Sequence, residues 1–178
     1  MGPAGLICAL NLAKEGYRPI VLERGQAVEK RILSIQNFWK GGKLDPESNV
    51  QFGEGGAGTF SDGKLYTRSN KRGDISSILR IFAHFGADEK ILTDAHPHIG
   101  TDKLSAIINA MRAKICELGG EFYFNTKCSD FILENKNGTK ITVFRSVFSA
   151  IKRNSRIKCA QQNWRTTCEL SINFRYAP

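Results

Sequence analysis

Apolar residues recur at helical spacing in four stretches of the chain, separated by short strand-like runs. In residues 3–15, Leu6, Ile7, Leu10 and Ala13 form a stripe. Pro3 suits the first turn of that helix, and Gly16 suits the position just past its end. Residues 27–39 predict a second helix ending near Phe38-Trp39. A third is capped by Asp74 or Ser76 and runs to about Phe85, with Ile75, Ile78, Leu79, Phe82 and Phe85 on one side. Thr101 is the expected cap of a fourth. Its apolar face is Leu104, Ile107, Ile108, Met111, Ile115 and Leu118, and Gly119-Gly120 stops it. Arg18 to Glu23 reads as a buried strand with Ile20, Val21 and Leu22 at its centre. Phe122 to Phe124, Ser129 to Leu133 and Thr139 to Phe144 read as further strands, the last two joined by an Asn137-Gly138 hairpin turn.

This order of elements predicts an α/β fold. Residues 3–23 supply the second half of a β-α-β unit, and the strand expected before Gly2 is not in the chain. Residues 41–73 show no apolar period. A long irregular segment in a small domain is usually functional or disordered. Packing Gly53, Gly55, Gly56, Gly58 and Gly63 into one short stretch favours function. Periodicity fades after about residue 144, so the expected division is a folded region over 1–144 and a divergent tail over 145–178. Val147, Phe148 and Ile151 could extend a short element past that boundary.

A chain of 178 residues is long enough for one domain with a core. No apolar run reaches the roughly 18 residues of a membrane span. The apolar start lacks a basic leader region, so no signal peptide is expected. The five cysteines (Cys8, Cys116, Cys128, Cys159, Cys168) form no CxxC pair. An odd, scattered set argues against a disulfide framework and predicts a reducing, cytoplasmic setting. Asn137-Gly138-Thr139 matches a glycosylation sequon but reads better as a turn. The net charge is +9, and residues 145–178 carry most of the excess, with seven Lys/Arg against Glu169 alone.

Four motifs carry candidate chemistry. Gly2-Pro3-Ala4-Gly5, with Glu23 at the end of the next strand, has the spacing of a dinucleotide site. Glycines let backbone N–H groups approach a pyrophosphate at a helix N-terminus, and the carboxylate takes the ribose hydroxyls. The alternative is an ordinary helix start followed by a surface strand end. The glycine-rich string 53–65 allows close backbone approach to a flat or anionic ligand, or else forms a flexible surface loop. Gly58 to Lys64 spells most of a P-loop, but Leu65 stands where a hydroxyl should meet magnesium, which disfavours an ATPase. His96 and His98 lack a third histidine or a cysteine nearby. They read as substrate-facing polar residues or as loop histidines, and no metal is expected. The basic tail, with Lys152, Arg153 and Arg156, could attract nucleic acid, but no recognised motif surrounds Trp164 and a solvated tail is the better reading.

Taken together, these motifs resemble the bacterial FAD-dependent dehydrogenase family within the glutathione-reductase-type flavoproteins. The residues that carry the resemblance are Gly2-Pro3-Ala4-Gly5-Leu6, Pro19 to Gly25, Phe38-Trp39, Lys43 to Leu65 and Pro97 to Leu104. The similarity covers roughly residues 1–140, and the string from Lys43 to Leu65 is its most specific part. It implies an incomplete Rossmann-like FAD/NAD(P)-binding domain of three layers, with part of an inserted substrate domain. It further implies that Gly2, Pro3, Ala4 and Gly5 lie under the FAD pyrophosphate. Glu23 would bind the adenosine ribose, with Arg24 beside it. Gly55, Gly56, Ala57, Gly58, Thr59 and Ser61 would approach the pyrophosphate and flavin, and the backbone of Lys127-Cys128 would meet adenine. The implied chemistry is hydride transfer through flavin, with NAD(P)H as a possible electron donor to an unidentified small molecule. His98 and Lys64 are the candidates for polarising that substrate. The departures from the pattern at both ends make a non-catalytic remnant with weak or no FAD binding the main alternative.

Overall fold

The computed structural model describes residues 1–61, 63–65, 73–136 and 139–148. The Asn137-Gly138 turn and, of the basic tail, residues 149–178 with Ile151 lie outside these residues. Helix α1 (Pro3–Lys14) leads into strand β1 (Ile20–Leu22), and helix α2 (Val28–Trp39) follows. The glycine segment contains one short 3-10 helix, Ala57–Phe60. Helix α3 (Ile75–His84), a 3-10 helix (Glu89–Leu92) and helix α4 (Thr101–Glu117) come next. Strands β2 (Glu121–Tyr123), β3 (Thr126–Lys136) and β4 (Thr139–Phe148) complete the described chain.

Local sequence accounts for most of these boundaries. Pro3 opens α1, where its missing N–H goes unneeded. Asp74 caps α3 by accepting from the Ser77 amide at 3.2 Å. For α4 the cap is Gly100, one residue before the expected Thr101, which is the first helical residue. Gly119, at φ 92°, takes the chain out of α4 into the turn before β2.

β1 and β2 pair in parallel, with Val21 opposite Phe122. β3 and β4 form an antiparallel hairpin whose register places Lys136 opposite Thr139. β4 continues past residue 144 to Phe148, beyond the expected strand end. The architecture is therefore mixed α/β with a small parallel sheet. One strand expectation needs correction: Ile20 is 55% exposed, not buried. β1 has a neighbouring strand on one side only among the described residues, so its first residue lies open.

The core lies where α1 crosses α4. Leu6, Leu10, Met111 and Ile115 are almost fully buried there, with Val28, Ile107 and Ile108 completing the layer. The predicted stripes of both helices are the ones that face inward. Cys8 and Cys116, on these same helices, are exposed free thiols. Among the described residues no helix is long and apolar enough to cross a membrane.

Candidate functional site

Three segments distant in sequence converge at the start of α1. The parallel pairing of β1 with β2 sets the ends of both strands side by side. The Glu23 amide donates to the Tyr123 carbonyl at 2.9 Å, and the Thr126 amide donates to the Glu23 carbonyl at 2.9 Å. The glycine segment then folds back over α1, where the Gly55 amide donates to the Met1 carbonyl at 2.9 Å.

A cavity of about 470 Å³ opens at this junction. Of the residues singled out from sequence, Gly2, Glu23, Arg24, Gly56, Lys127 and Cys128 line it. Leu22, Gln51, Phe52, Gly53 and Thr126 complete the wall with Met1. Pro3, Ala4 and Gly5 are exposed residues just inside α1, and Gly55 and Thr59 are buried behind the wall. Ala57, Gly58 and Ser61 are exposed on the far side of the turn.

The cavity has an acidic floor and basic flanks. Glu23 is only 2% exposed. Its Oε1 accepts from the Gly25 amide at 2.7 Å, and its Oε2 meets the Met1 amino group. Burial lowers the pKa of that amino group, and the nearby Arg31 lowers it further. Arg24 pairs with Glu47, which raises the guanidinium pKa and lowers that of the carboxyl through their shared hydrogen bond. The same guanidinium lies 4.1 Å over the Phe52 ring.

Gly2 is the N-cap of α1, with extended backbone and no side-chain cap. A Cβ built on it would meet nothing within 4 Å, so there is open space beside the N-cap. Gly55 is the opposite case. Its φ is +88°, and a Cβ there would come 2.2 Å from Thr59 Oγ1 and 2.4 Å from Ile108 Cδ1.

Sequence reading missed Arg31, Glu54 and Arg112. Arg31 is fully buried beneath the glycine segment. It donates to the carbonyls of Asn49, Val50, Gly53, Glu54 and Gly56 at 2.7–3.3 Å. Its guanidinium also lies 4.8 Å over the Phe60 ring. Burial pulls its pKa down to about 10. The carboxylate of Glu54 is wholly buried. Its Oε2 accepts from the Val28 amide at 2.8 Å and from Arg112, and burial pushes its pKa up. Arg112 also donates to Glu29, tying α4 to α2. One signal could have found Arg31: with Val28 and Ile35 it falls on the inward stripe of α2.

His98 and Lys64 do not enter this cavity. They oppose each other in an isolated antiparallel bridge, with the Leu65 amide donating to Pro97 and the Ile99 amide to Gly63, each at 2.9 Å. His98 lines a second cavity of about 270 Å³ with Asp88, Asp94, Asp102, Lys90 and Lys103. Among the described residues no group of three or more His, Cys, Asp or Glu side chains is arranged to hold a metal ion.

Over 126 residues the chain is 51% identical to an uncharacterized protein of Clostridium beijerinckii, a match covering 71% of this chain and 24% of the relative. The chain thus spans about a quarter of that relative's length. No family model matches the chain.

Proposed function

We propose that this chain forms the FAD-binding portion of an FAD-dependent oxidoreductase, on an incomplete Rossmann-like domain with part of an inserted substrate domain. The carrying observation is convergence. Gly2 with Glu23 from the first motif, Gly56 from the glycine string, and Arg24, Lys127 and Cys128 from the family resemblance line one cavity.

The lining residues and the size of the cavity support this reading. Open space beside Gly2, the N-cap of α1, would leave the positive helix end for a pyrophosphate. Glu23 supplies carboxylate oxygens for ribose hydroxyls, each with lone-pair capacity beyond its present partner. Arg24, held by Glu47, lines the wall beside Glu23 at the ribose end, and Lys127 and Cys128 line the part assigned to adenine. The cavity volume falls within the roughly 300–1,000 Å³ typical of ligand pockets. Bound flavin would supply hydride chemistry, with NAD(P)H as its electron donor and a small molecule as substrate. His98, which lines the second cavity, and Lys64, its backbone bridge partner, are the residues proposed to polarise that substrate.

Titrating the purified chain with FAD, followed by flavin fluorescence and thermal melting, tests the reading. The expected result is saturable binding and a raised Tm, because a ligand of the folded state stabilises it. ADP should compete, and FMN, which lacks the adenosine half, should bind more weakly. Glu23→Gln should weaken FAD binding by about tenfold, the loss of roughly one charge-assisted hydrogen bond. Absence of both binding and a Tm shift would favour the non-catalytic remnant.

A further inference from the structure

Burying a guanidinium is expensive, and an apolar side chain of similar volume often serves stability as well. What an arginine alone supplies is a rigid, planar fork of five N–H donors. Arg31 spends that fork on one segment. Its partners among the described residues are carbonyl or hydroxyl oxygens, none a carboxylate, and all lie between Asn49 and Thr59. The same segment supplies Phe52, Gly53 and Gly56 to the cavity wall. Contact is close enough that a Cβ on Gly53 would lie 2.4 Å from Arg31 Cδ. Phe60 closes over the guanidinium at the segment's far end. The main core between α1 and α4 is built from other residues.

We infer that Arg31 is the positioning residue of the cofactor cavity: by gathering the carbonyls of Asn49, Val50, Gly53, Glu54 and Gly56, it sets the curvature of segment 49–60 and so the wall presented to the nucleotide. Its link to a nucleotide rests on the FAD reading above; its hold on the segment does not. Burial lowers its pKa only to about 10, so the guanidinium keeps its charge and its donors at neutral pH. Lysine, with three donors on a compact ammonium, cannot satisfy five carbonyls at once.

The test compares Arg31→Lys and Arg31→Met with the parent chain by hydrogen exchange, thermal melting and FAD titration. Both variants are expected to melt cooperatively and to keep protection in α1 and α4. Amides of segment 49–60 should exchange at least about tenfold faster, reporting local opening. FAD affinity should fall at least about tenfold, with the lysine variant the less affected. Parental exchange in segment 49–60 for both variants would overturn the inference. Loss of protection throughout α1 and α4 in both would also overturn it, since Arg31 would then hold the whole fold. A parent chain that binds no FAD would remove the cofactor reading, while the exchange of segment 49–60 would still decide the role of Arg31.

Discussion

Arg112 reaches from α4 to Glu54, and its Nη1 donates to the buried Oε2 of that carboxylate. The contact joins the longest helix to the glycine segment. Arg112 is 18% exposed, so the pair is partly screened, but Glu54 is not exposed at all. Removing the arginine leaves a buried carboxylate short of a partner. Arg112→Met should destabilise the chain by about 1–3 kcal/mol in urea unfolding. Combining it with Glu54→Gln should cost less than the sum of the single changes, because the two residues act through one contact. Strict additivity would show that the contact carries no energy.

Glu54 also predicts a pH dependence. Burial, the largest influence, raises its pKa above the ordinary 4.5 in the folded chain. As pH climbs past that value, the unfolded chain releases this proton first. The folded state then holds more protons, so this group's contribution to stability falls until pH passes the raised value. Glu54→Gln keeps an acceptor for the Val28 amide and removes the titration. The stability of the parent relative to this variant should therefore decline as pH rises from about 4.5 towards neutrality. Denaturant curves at several pH values give that difference directly, and a constant difference would contradict the argument.

Glycines of the central string should differ sharply in tolerance. Gly55→Ala forces a side chain into a left-handed backbone and against Thr59 and Ile108, and should cost about 2 kcal/mol or more. Gly58 lacks a positive φ, and a Cβ there meets nothing within 4 Å. Gly58→Ala should leave stability within about 0.5 kcal/mol. Equal thermal shifts for the two variants would mean the segment is not held as described.

The thiols offer a chemical map of the cavity. Cys8 and Cys116 are exposed, whereas Cys128 is half-buried and lines the cavity. Maleimide labelling read by peptide mass should modify Cys8 and Cys116 first. If FAD occupies the cavity, it should slow modification of Cys128 and leave Cys8 unchanged. Protection of both thiols alike, or of neither, would place the nucleotide elsewhere.

Much of this architecture was legible in the sequence because its determinants are local. The stripes of α1 and α4, the Pro3 start of α1, the Asp74 cap of α3 and the Gly119 exit from α4 each depend on a few adjacent residues. The strand runs around Val21 and Phe122 were legible as apolar segments, yet their parallel pairing was not. The exposure of Ile20 is not legible for the same reason: burial of a strand depends on what lies beside it.

The candidate site divides along the same line. The sequence by itself determined the elements and marked Gly2, Glu23 and the glycine string as chemically suggestive, since turn geometry and motif spacing are written within short windows. Only the tertiary structure decided that Glu23, Gly56 and Cys128 share a cavity, that Lys64 faces His98 across a bridge, and that the string is gathered onto Arg31. These arrangements depend on contacts between residues far apart in the chain. A charged residue on a helix looks solvent-bound until the carbonyls that surround it are folded into place.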